Sequence, residues 1–213
     1  MVMYEEEVTN FSDDFRDWIT HPIYTFSRHL ISPLLRMGRL LQHTRQSMSW
    51  PDQMKAEAAA LEEELLQCYD RDVEANRGPI KDTADVLHVN EAMHAAALIM
   101  FYTRIMDMPF TTPLIRRNVD KVQREASFIA PSSLSSRAII FPLFIAGCEA
   151  VDGRVRELIA QRILGSNYCS ELEPSKVVSH LSQIWSVRDQ SPGLTWLEWS
   201  QQGNPLEDYH RSS

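Results

Sequence analysis

Glycine is scarce in this chain, with seven residues among 213. Phosphate-binding loops need closely spaced glycines, because backbone N–H groups must approach the phosphates, and neither Gly-x-x-x-x-Gly-Lys nor Gly-x-Gly-x-x-Gly occurs. The Gly-x-Ser-x-Gly turn that presents a serine nucleophile is also missing. These absences exclude the common nucleotide-binding and serine-hydrolase motifs. We expect a protein that is not an enzyme and has no cofactor.

Cysteine is also rare, and its three positions, Cys68, Cys148 and Cys169, lie far apart. Structural zinc sites take pairs of cysteine or histidine at short spacing, and the sequence offers none. An odd, widely separated set is typical of reduced thiols in an intracellular protein. Cys68 and Cys148 stand in apolar segments, so we interpret them as small core residues.

No apolar run is long enough to cross a bilayer. The longest, residues 95–102 and 138–148, fall short of the about 20 residues that a spanning helix needs. The first ten residues, MVMYEEEVTN, contain no basic region followed by an apolar core, so no secretory signal is recognisable. We expect a soluble intracellular protein without membrane contact.

Basic residues are outnumbered: Lys and Arg total 21 against 29 Asp and Glu, a net charge of −8. Free-standing nucleic-acid binders are usually basic, because neutralising phosphates supplies much of their affinity. The charge therefore argues against direct, sequence-specific DNA binding by this chain.

The charges are also unevenly distributed. Residues 51–75 are strongly acidic, whereas residues 27–46 contain no acid. The second segment carries a basic face formed by Arg28, Arg36, Arg39 and His43. We interpret this face as solvated; contact with phosphate or an acidic partner, and pairing with the acidic segment inside the fold, are the alternatives.

Alternation of β-branched residues is nearly absent, and apolar residues recur at helical spacing instead. The pattern predicts an all-α fold, a multi-helix array of six to seven helices packed in antiparallel pairs. We divide the chain into a partly ordered N-terminal segment (1–30, with a short helix near 13–19), a helical regulatory domain (31–200) and a loose tail (201–213). Helix starts are predicted at Ser32-Pro33, Asp52, Thr112-Pro113, Asp152 and Pro174.

Two of the predicted helices, residues 86–106 and 137–151, are apolar on nearly every side, so we expect them to be central. Pro142 lies inside the second one and is expected to bend it, because proline removes a backbone hydrogen bond. A pocket between these two helices would make the chain a small-molecule sensor, and nothing in the sequence names its ligand.

One metal hypothesis rests on Glu91 and His94. They form a Glu-x-x-His motif, the spacing used in carboxylate-bridged di-iron helical bundles. That chemistry needs a second copy of the motif, which is absent. The alternative to a metal-dependent enzyme is a helix-surface Glu91 and a semi-buried, hydrogen-bonded His94.

The segment FPLFIAGCEAVDGRVR, residues 141–156, predicts a packing corner between two helices. Gly147 permits close approach of a neighbouring helix. Glu149 stands just before the next helix, where Arg154 and Arg156 are within reach for a salt bridge. The corner needs no ligand to explain it.

The same segment resembles the signature of the fungal-specific transcription factor domain, the regulatory region found behind the six-cysteine binuclear zinc cluster of many fungal activators. The residues that carry the resemblance are Phe141 (where the family usually has tryptophan), Pro142, Leu143, Gly147, Cys148, Glu149 and Arg156, with Trp185 in a later helix. Flanking matches are residues 95–105, which end in a tyrosine and an arginine, Arg188-Asp189, and Trp196. The similarity covers roughly residues 85–200.

The resemblance implies an all-helical regulator without catalytic residues. It also implies a role in the nucleus, with presence in the cytoplasm not excluded, and control of a metabolic or secondary-metabolite programme. Protein partners, as a homodimer or a heterodimer with other transcription regulators, follow from the same comparison. The zinc cluster is missing from this sequence. We therefore expect either a stand-alone regulator without a DNA-binding head or a truncated gene product.

Overall fold

The computed structural model describes residues 27–44, 52–75, 84–166, 173–191, 193–196 and 198. These residues form seven α-helices and no β-strand, which confirms the predicted all-α fold. The helices are α1 (Ile31–Thr44), α2 (Asp52–Ala75), α3 (Ala84–Met100), α4 (Pro113–Phe128), α5 (Ile140–Glu149), α6 (Gly153–Leu164) and α7 (Pro174–Gln190). A π-helical turn (Phe101–Ile105) continues α3, and short 3-10 turns (Arg28–Leu30 and Leu134–Arg137) lie before α1 and α5.

Three ranges of the sequence prediction fall partly or wholly outside these residues. The short helix expected near 13–19 and the tail 201–213 lie outside the described residues, as does most of segment 1–30. The division of the chain into these three parts therefore stays a prediction.

The centre of the fold is the pair α3 and α4, which share the most extensive helix–helix contact, and α5 packs against both. Helical spacing in the sequence predicts one apolar stripe on α4, and all of its members are buried: Ile115, Val119, Val122, Ala126 and Ile129. Helix α3 is buried on nearly every side from Val89 onwards, as its largely apolar C-terminal half predicts. Sequence periodicity thus locates the core correctly.

The same spacing predicts an outer, solvent-facing side of α4 formed by Arg116, Arg117, Asp120, Lys121 and Arg124, and that side is less exposed than predicted. Arg117, Asp120 and Arg124 are exposed, but Arg116 and Lys121 turn towards neighbouring elements. The Arg116 side chain donates to a backbone carbonyl of α5, and Lys121 pairs with Glu91 of α3 at 2.6 Å. Long cationic side chains reach over their own helix, so helical spacing alone does not fix their partners.

The helix starts mostly follow the predicted caps. Asp152 accepts hydrogen bonds from the backbone N–H groups of Arg154 and Val155, Thr112 and Pro113 begin α4, and Pro174 begins α7. The predicted cap at Ser32 is wrong. The chain already turns at Ser27, whose Oγ accepts from the N–H of His29, and α1 follows that 3-10 turn directly.

The predicted position of Pro142 inside a helix over residues 137–151 is also wrong. Helix α5 begins only at Ile140, after a 3-10 turn, so Pro142 lies in its first turn. The first N–H groups of a helix have no intrahelical partner, and a proline there removes no hydrogen bond.

Arg36, on the basic face of α1, contacts the acidic helix α2. Arg36 donates to the Glu64 carboxylate, and both side chains are partly buried. The alternative in which acidic and basic segments pair inside the fold is therefore confirmed for this pair.

Candidate functional site

Glu149, the last residue of α5, is the most deeply buried acidic side chain among the described residues, with no solvent exposure. Arg104 Nη1 lies 2.7 Å from its Oε1, and Arg188 Nη2 lies 3.1 Å from its Oε2. The indole N–H of Trp196 donates to the same Oε1 at 2.5 Å. We call these four residues the Glu149 junction. The predicted pairing of Glu149 with Arg154 or Arg156 is wrong.

Three separate parts of the chain supply the donors of the Glu149 junction. Arg104 stands on the π-helical turn after α3, Arg188 on the last turn of α7, and Trp196 after the end of α7. Thr103 helps to orient the first donor, because its Oγ1 accepts from Arg104 Nη1 at 2.8 Å while donating to the Ile99 carbonyl. One carboxylate thus joins α3, α5 and α7.

The backbone end of α5 is held by three further side chains. The last carbonyls of a helix lack intrahelical partners and need other donors. Arg116 donates to the Glu149 carbonyl at 2.6 Å, and Arg156 Nε donates to the Ala150 carbonyl at 2.8 Å. Trp185 Nε1 donates to the Gly147 carbonyl at 2.7 Å. The end of α5 is therefore bound by side chains from α4, α6 and α7.

Aromatic rings cover the guanidinium groups of the junction. Arg104 lies 3.3 Å from the centre of the Trp196 ring, and Arg188 lies 4.4 Å from the Phe110 ring. A guanidinium over an aromatic face is attracted by the ring quadrupole, more strongly where water is excluded. Burial lowers the pKa of Arg188, and the nearby Glu149 carboxylate partly offsets that effect. The cations are thus stabilised by both the carboxylate and the rings.

Gly147 allows α7 to approach α5 closely, as the sequence predicts. A Cβ atom at this position would lie 2.9 Å from both terminal methyl carbons of Leu181 on α7. Leu181 is itself fully buried and has little room to move away. The glycine therefore sets the spacing of the two helices.

The signature residues occupy different environments. Buried positions are Pro142, Leu143, Gly147, Cys148 and Glu149. Arg156 forms a two-bond salt bridge with Asp189, each bond 2.8 Å long, and this partner lowers the pKa of Asp189. Trp185 is partly buried, whereas Phe141 is 44% exposed. Burial raises the pKa of the Cys148 thiol to about 12.

The sequence did not predict that the four residues of the Glu149 junction contact one another. Arg104, Arg188 and Trp196 entered only as flanking matches, 45, 39 and 47 positions away from Glu149. Arg116 was assigned to the solvent side of its helix. One signal for these contacts was available in the sequence. Every flanking match contains a residue whose side chain can donate a hydrogen bond to a carboxylate.

Glu91 and His94, the metal hypothesis, have other partners. Glu91 pairs with Lys121, and the ring of buried His94 meets Tyr69 edge-on with centroids 5.3 Å apart. Within the part of the chain that the structure describes, no three His, Cys, Asp or Glu side chains are placed to hold a metal ion. In that same part, no helix combines the length and apolarity needed to span a bilayer.

Comparison with known proteins adds one positive finding. The model of the fungal specific transcription factor domain matches residues 3–206, and no zinc cluster domain is detected. Neither a curated protein nor a solved structure matches the chain. Because the match spans nearly the whole sequence, including the Glu149 junction, the chain belongs to the fungal-specific transcription factor domain family.

Proposed function

We propose that this chain is a non-catalytic regulatory domain of fungal transcription that acts in the nucleus through contacts with other proteins. The observation that carries the proposal is the Glu149 junction. The segment that resembles the family signature joins helices there, and its Glu149 carboxylate is fully enclosed.

An acid–base catalyst must exchange a proton with substrate, so it needs an accessible oxygen. Both Glu149 oxygens instead accept from internal donors: Arg104 and Trp196 share Oε1, and Arg188 binds Oε2. This arrangement supports a structural role for the signature. Regulation then depends on the surface that the helices present.

A candidate contact surface lies on α6. Leu158, Gln161 and Leu164 follow one another at intervals of three residues, and all three are exposed. Leu164 is 53% exposed, and a second exposed leucine, Leu158, lies within two helical turns of it. Two large aliphatic side chains exposed so close together are unusual. Exposed aliphatic side chains with a polar residue between them form a mixed surface of the kind that occurs in protein contacts. We propose that a second copy or another transcription regulator packs here.

The decisive experiment is a reporter assay with the full chain fused to a heterologous DNA-binding domain. We expect the fusion to change transcription in an activation or a repression format. Leu164→Glu should reduce the effect at least threefold, because a carboxylate opposes burial against a partner. Leu35→Glu, at an equally exposed leucine of α1, serves as the control and should leave it unchanged. Indifference of the reporter in both formats contradicts the proposal.

Direct DNA recognition is not part of the proposed role. The net charge of −8 disfavours phosphate binding, so we expect no sequence-specific footprint from the purified chain. A footprint that weakens steeply with added salt would contradict this expectation. That the regulated genes form a metabolic or secondary-metabolite programme stays a prediction from the family.

Elemental analysis separates this proposal from a metal-dependent enzyme. We expect the purified protein to contain no stoichiometric iron or manganese, because Glu91 is paired with Lys121. Stoichiometric metal that is lost in His94→Ala would instead favour the enzyme.

A further inference from the structure

Helix α2 has one long face that is exposed to solvent. Its residues follow one another at alternating intervals of three and four, the spacing by which one helix packs against another: Ala56, Ala59, Glu63, Leu66 and Asp70. We call these five residues the α2 face. Leu66 is 45% exposed, and the whole helix carries eight acidic and two basic side chains. A surface that complements the α2 face must therefore offer both apolar space and positive charge.

The α6 surface proposed above for protein contacts offers apolar space. An open cavity of about 300 Å³ lies beside it, between the C-terminal half of α4, the loop after α4, α5 and α6. Leu158 belongs to both the surface and the cavity wall, and Leu143 of α5 adds to the apolar lining. Helices α4 and α6 provide most of the walls, so this is not the pocket predicted between the apolar helices α3 and α5. An aliphatic side chain that enters such a cavity acts as an anchor for a protein contact.

The helices that line the cavity also carry an excess of positive charge. Helix α4 has four cationic and two acidic side chains, and α6 has three cationic and one acidic. Arg154 is exposed one turn before Leu158. Arg124 is also exposed and follows the wall residue Gln123. Opposite charges make the α2 face and the α6 surface attract each other, whereas two copies of the α2 face would repel.

We propose that the α2 face of one copy packs against the α6 surface of a second copy, with Leu66 in the cavity. The inference rests on the contact surface proposed above and names its occupant, a second copy of this chain. Because the two surfaces differ, the contact is head-to-tail, and a dimer keeps one unoccupied α2 face and one unoccupied α6 surface. Association therefore continues beyond the dimer as the concentration rises.

Sedimentation velocity of the purified full chain, from about 5 µM to about 500 µM, measures this association. One helix packed across one surface buries less area than a standard interface, so we expect a Kd of about 10–100 µM for each contact. The mean mass should pass that of a dimer at the highest concentration. Raising the NaCl concentration from about 0.1 M to about 0.5 M should weaken association at least threefold, because salt screens exposed charges. A chain that stays monomeric throughout the concentration range overturns the proposal.

Two variants show which surfaces meet. Leu66→Glu disables the α2 face and Leu164→Glu disables the α6 surface, since each places a carboxylate where a leucine would be buried. Either variant alone should associate at least tenfold more weakly than the unchanged chain. An equimolar mixture should form dimers and nothing larger, because the intact α6 surface of the first variant binds the intact α2 face of the second. Leu35→Glu is the matched control and should associate like the unchanged chain.

Two results from these variants overturn the proposal. One is association of Leu66→Glu as strong as that of the unchanged chain. The other is a mixture that stays monomeric at about 500 µM, which would mean that the same surface of both copies forms the contact. The reporter assay responds to any partner of the α6 surface, so a loss of its effect with Leu164→Glu supports the proposed function even where self-association fails. The two proposals therefore fail separately.

Discussion

At the scale of single residues, the Glu149 carboxylate is enclosed by protein groups and has no contact with solvent. Two guanidinium groups and one indole N–H bind its two oxygens, and the surrounding rings exclude solvent. A buried charge is tolerated only where such partners compensate for lost hydration. Its neighbours Gly147 and Cys148 are buried because they are small. Gly147 has no side chain, and the Cys148 side chain fills a small space in the core.

Gly147→Ala is expected to destabilise the protein by about 1–3 kcal/mol, because the added methyl group overlaps Leu181. The measurement is the free energy of unfolding in urea. Gly38→Ala on α1 is the matched control, since a Cβ there meets no atom within 4 Å. It should stabilise by about 0.5–1 kcal/mol through helix propensity. Equal effects of the two substitutions would show that α5 and α7 are not closely packed at Gly147.

Cys148 is expected to make stability depend on pH in alkaline solution. Its thiol has a pKa of about 12 in the folded protein against an ordinary value of 9.0, because burial disfavours the thiolate. The folded state therefore holds the proton more tightly, and this contribution is intact below pH 9. It is lost as pH rises from about 9 towards 12, by up to about 1.4 kcal/mol per pH unit.

The measurement is the slope of the unfolding free energy against pH above 9, compared with Cys148→Ala. Tyr102 contributes in the same direction at higher pH, because burial and the hydrogen bond to Glu62 raise its pKa. The variant keeps the tyrosine contribution and removes that of the thiol. Superimposable slopes would mean that the Cys148 thiol ionises normally in the fold.

At the scale of the elements, the N-terminal caps of two helices differ in a testable way. The Asp152 carboxylate accepts from two backbone N–H groups of α6, whereas Thr112 makes no side-chain bond to α4. Asp152→Ala should cost about 1 kcal/mol of unfolding free energy, and Asp152→Asn much less. Thr112→Ala should cost no more than half as much as Asp152→Ala. A reversed order in urea unfolding would contradict these cap assignments.

Local sequence signals were sufficient for most of the helices. Caps and prolines at Asp52, Thr112 and Asp152 mark real starts, because their effect extends only over one turn. The errors at Ser32 and Pro142 have one cause. In both places a 3-10 turn, held by Ser27 or Ser133, shifts where the helix begins relative to the nearest proline. Nothing in the periodicity distinguishes the two kinds of turn.

Local sequence signals of this kind could not predict the partners of Glu149. The nearest arginines in sequence, Arg154 and Arg156, were assigned to it, but the structure gives it Arg104 and Arg188. Which distant side chain reaches a buried group depends on how helices pack, and helical spacing does not determine packing. The flanking segments that resemble the family contain Arg104, Arg188 and Trp196. The resemblance does not show that Glu149 is their common partner.

At the scale of the whole molecule, the fold is a central pair, α3 and α4, to which the later helices are attached through α5. The N-terminal pair α1 and α2 is tied to the same core, since Tyr102 after α3 donates to Glu62 of α2 at 2.8 Å. The Glu149 junction fixes the other side by joining α3, α5 and α7. The surface proposed for partners, at Leu164 and its neighbours, lies on the outer face of α6.

The central claim is that the buried Glu149 carboxylate holds this junction together, and Glu149→Gln tests it most directly. The measurement is the free energy of unfolding in urea, with Glu157→Gln on the exposed face of α6 as the control. We expect Glu149→Gln to lose about 3 kcal/mol, because two buried guanidinium groups lose their counter-charge, and the control to change by less than about 0.5 kcal/mol. A loss of less than about 1 kcal/mol for Glu149→Gln, close to that of the control, would contradict the claim.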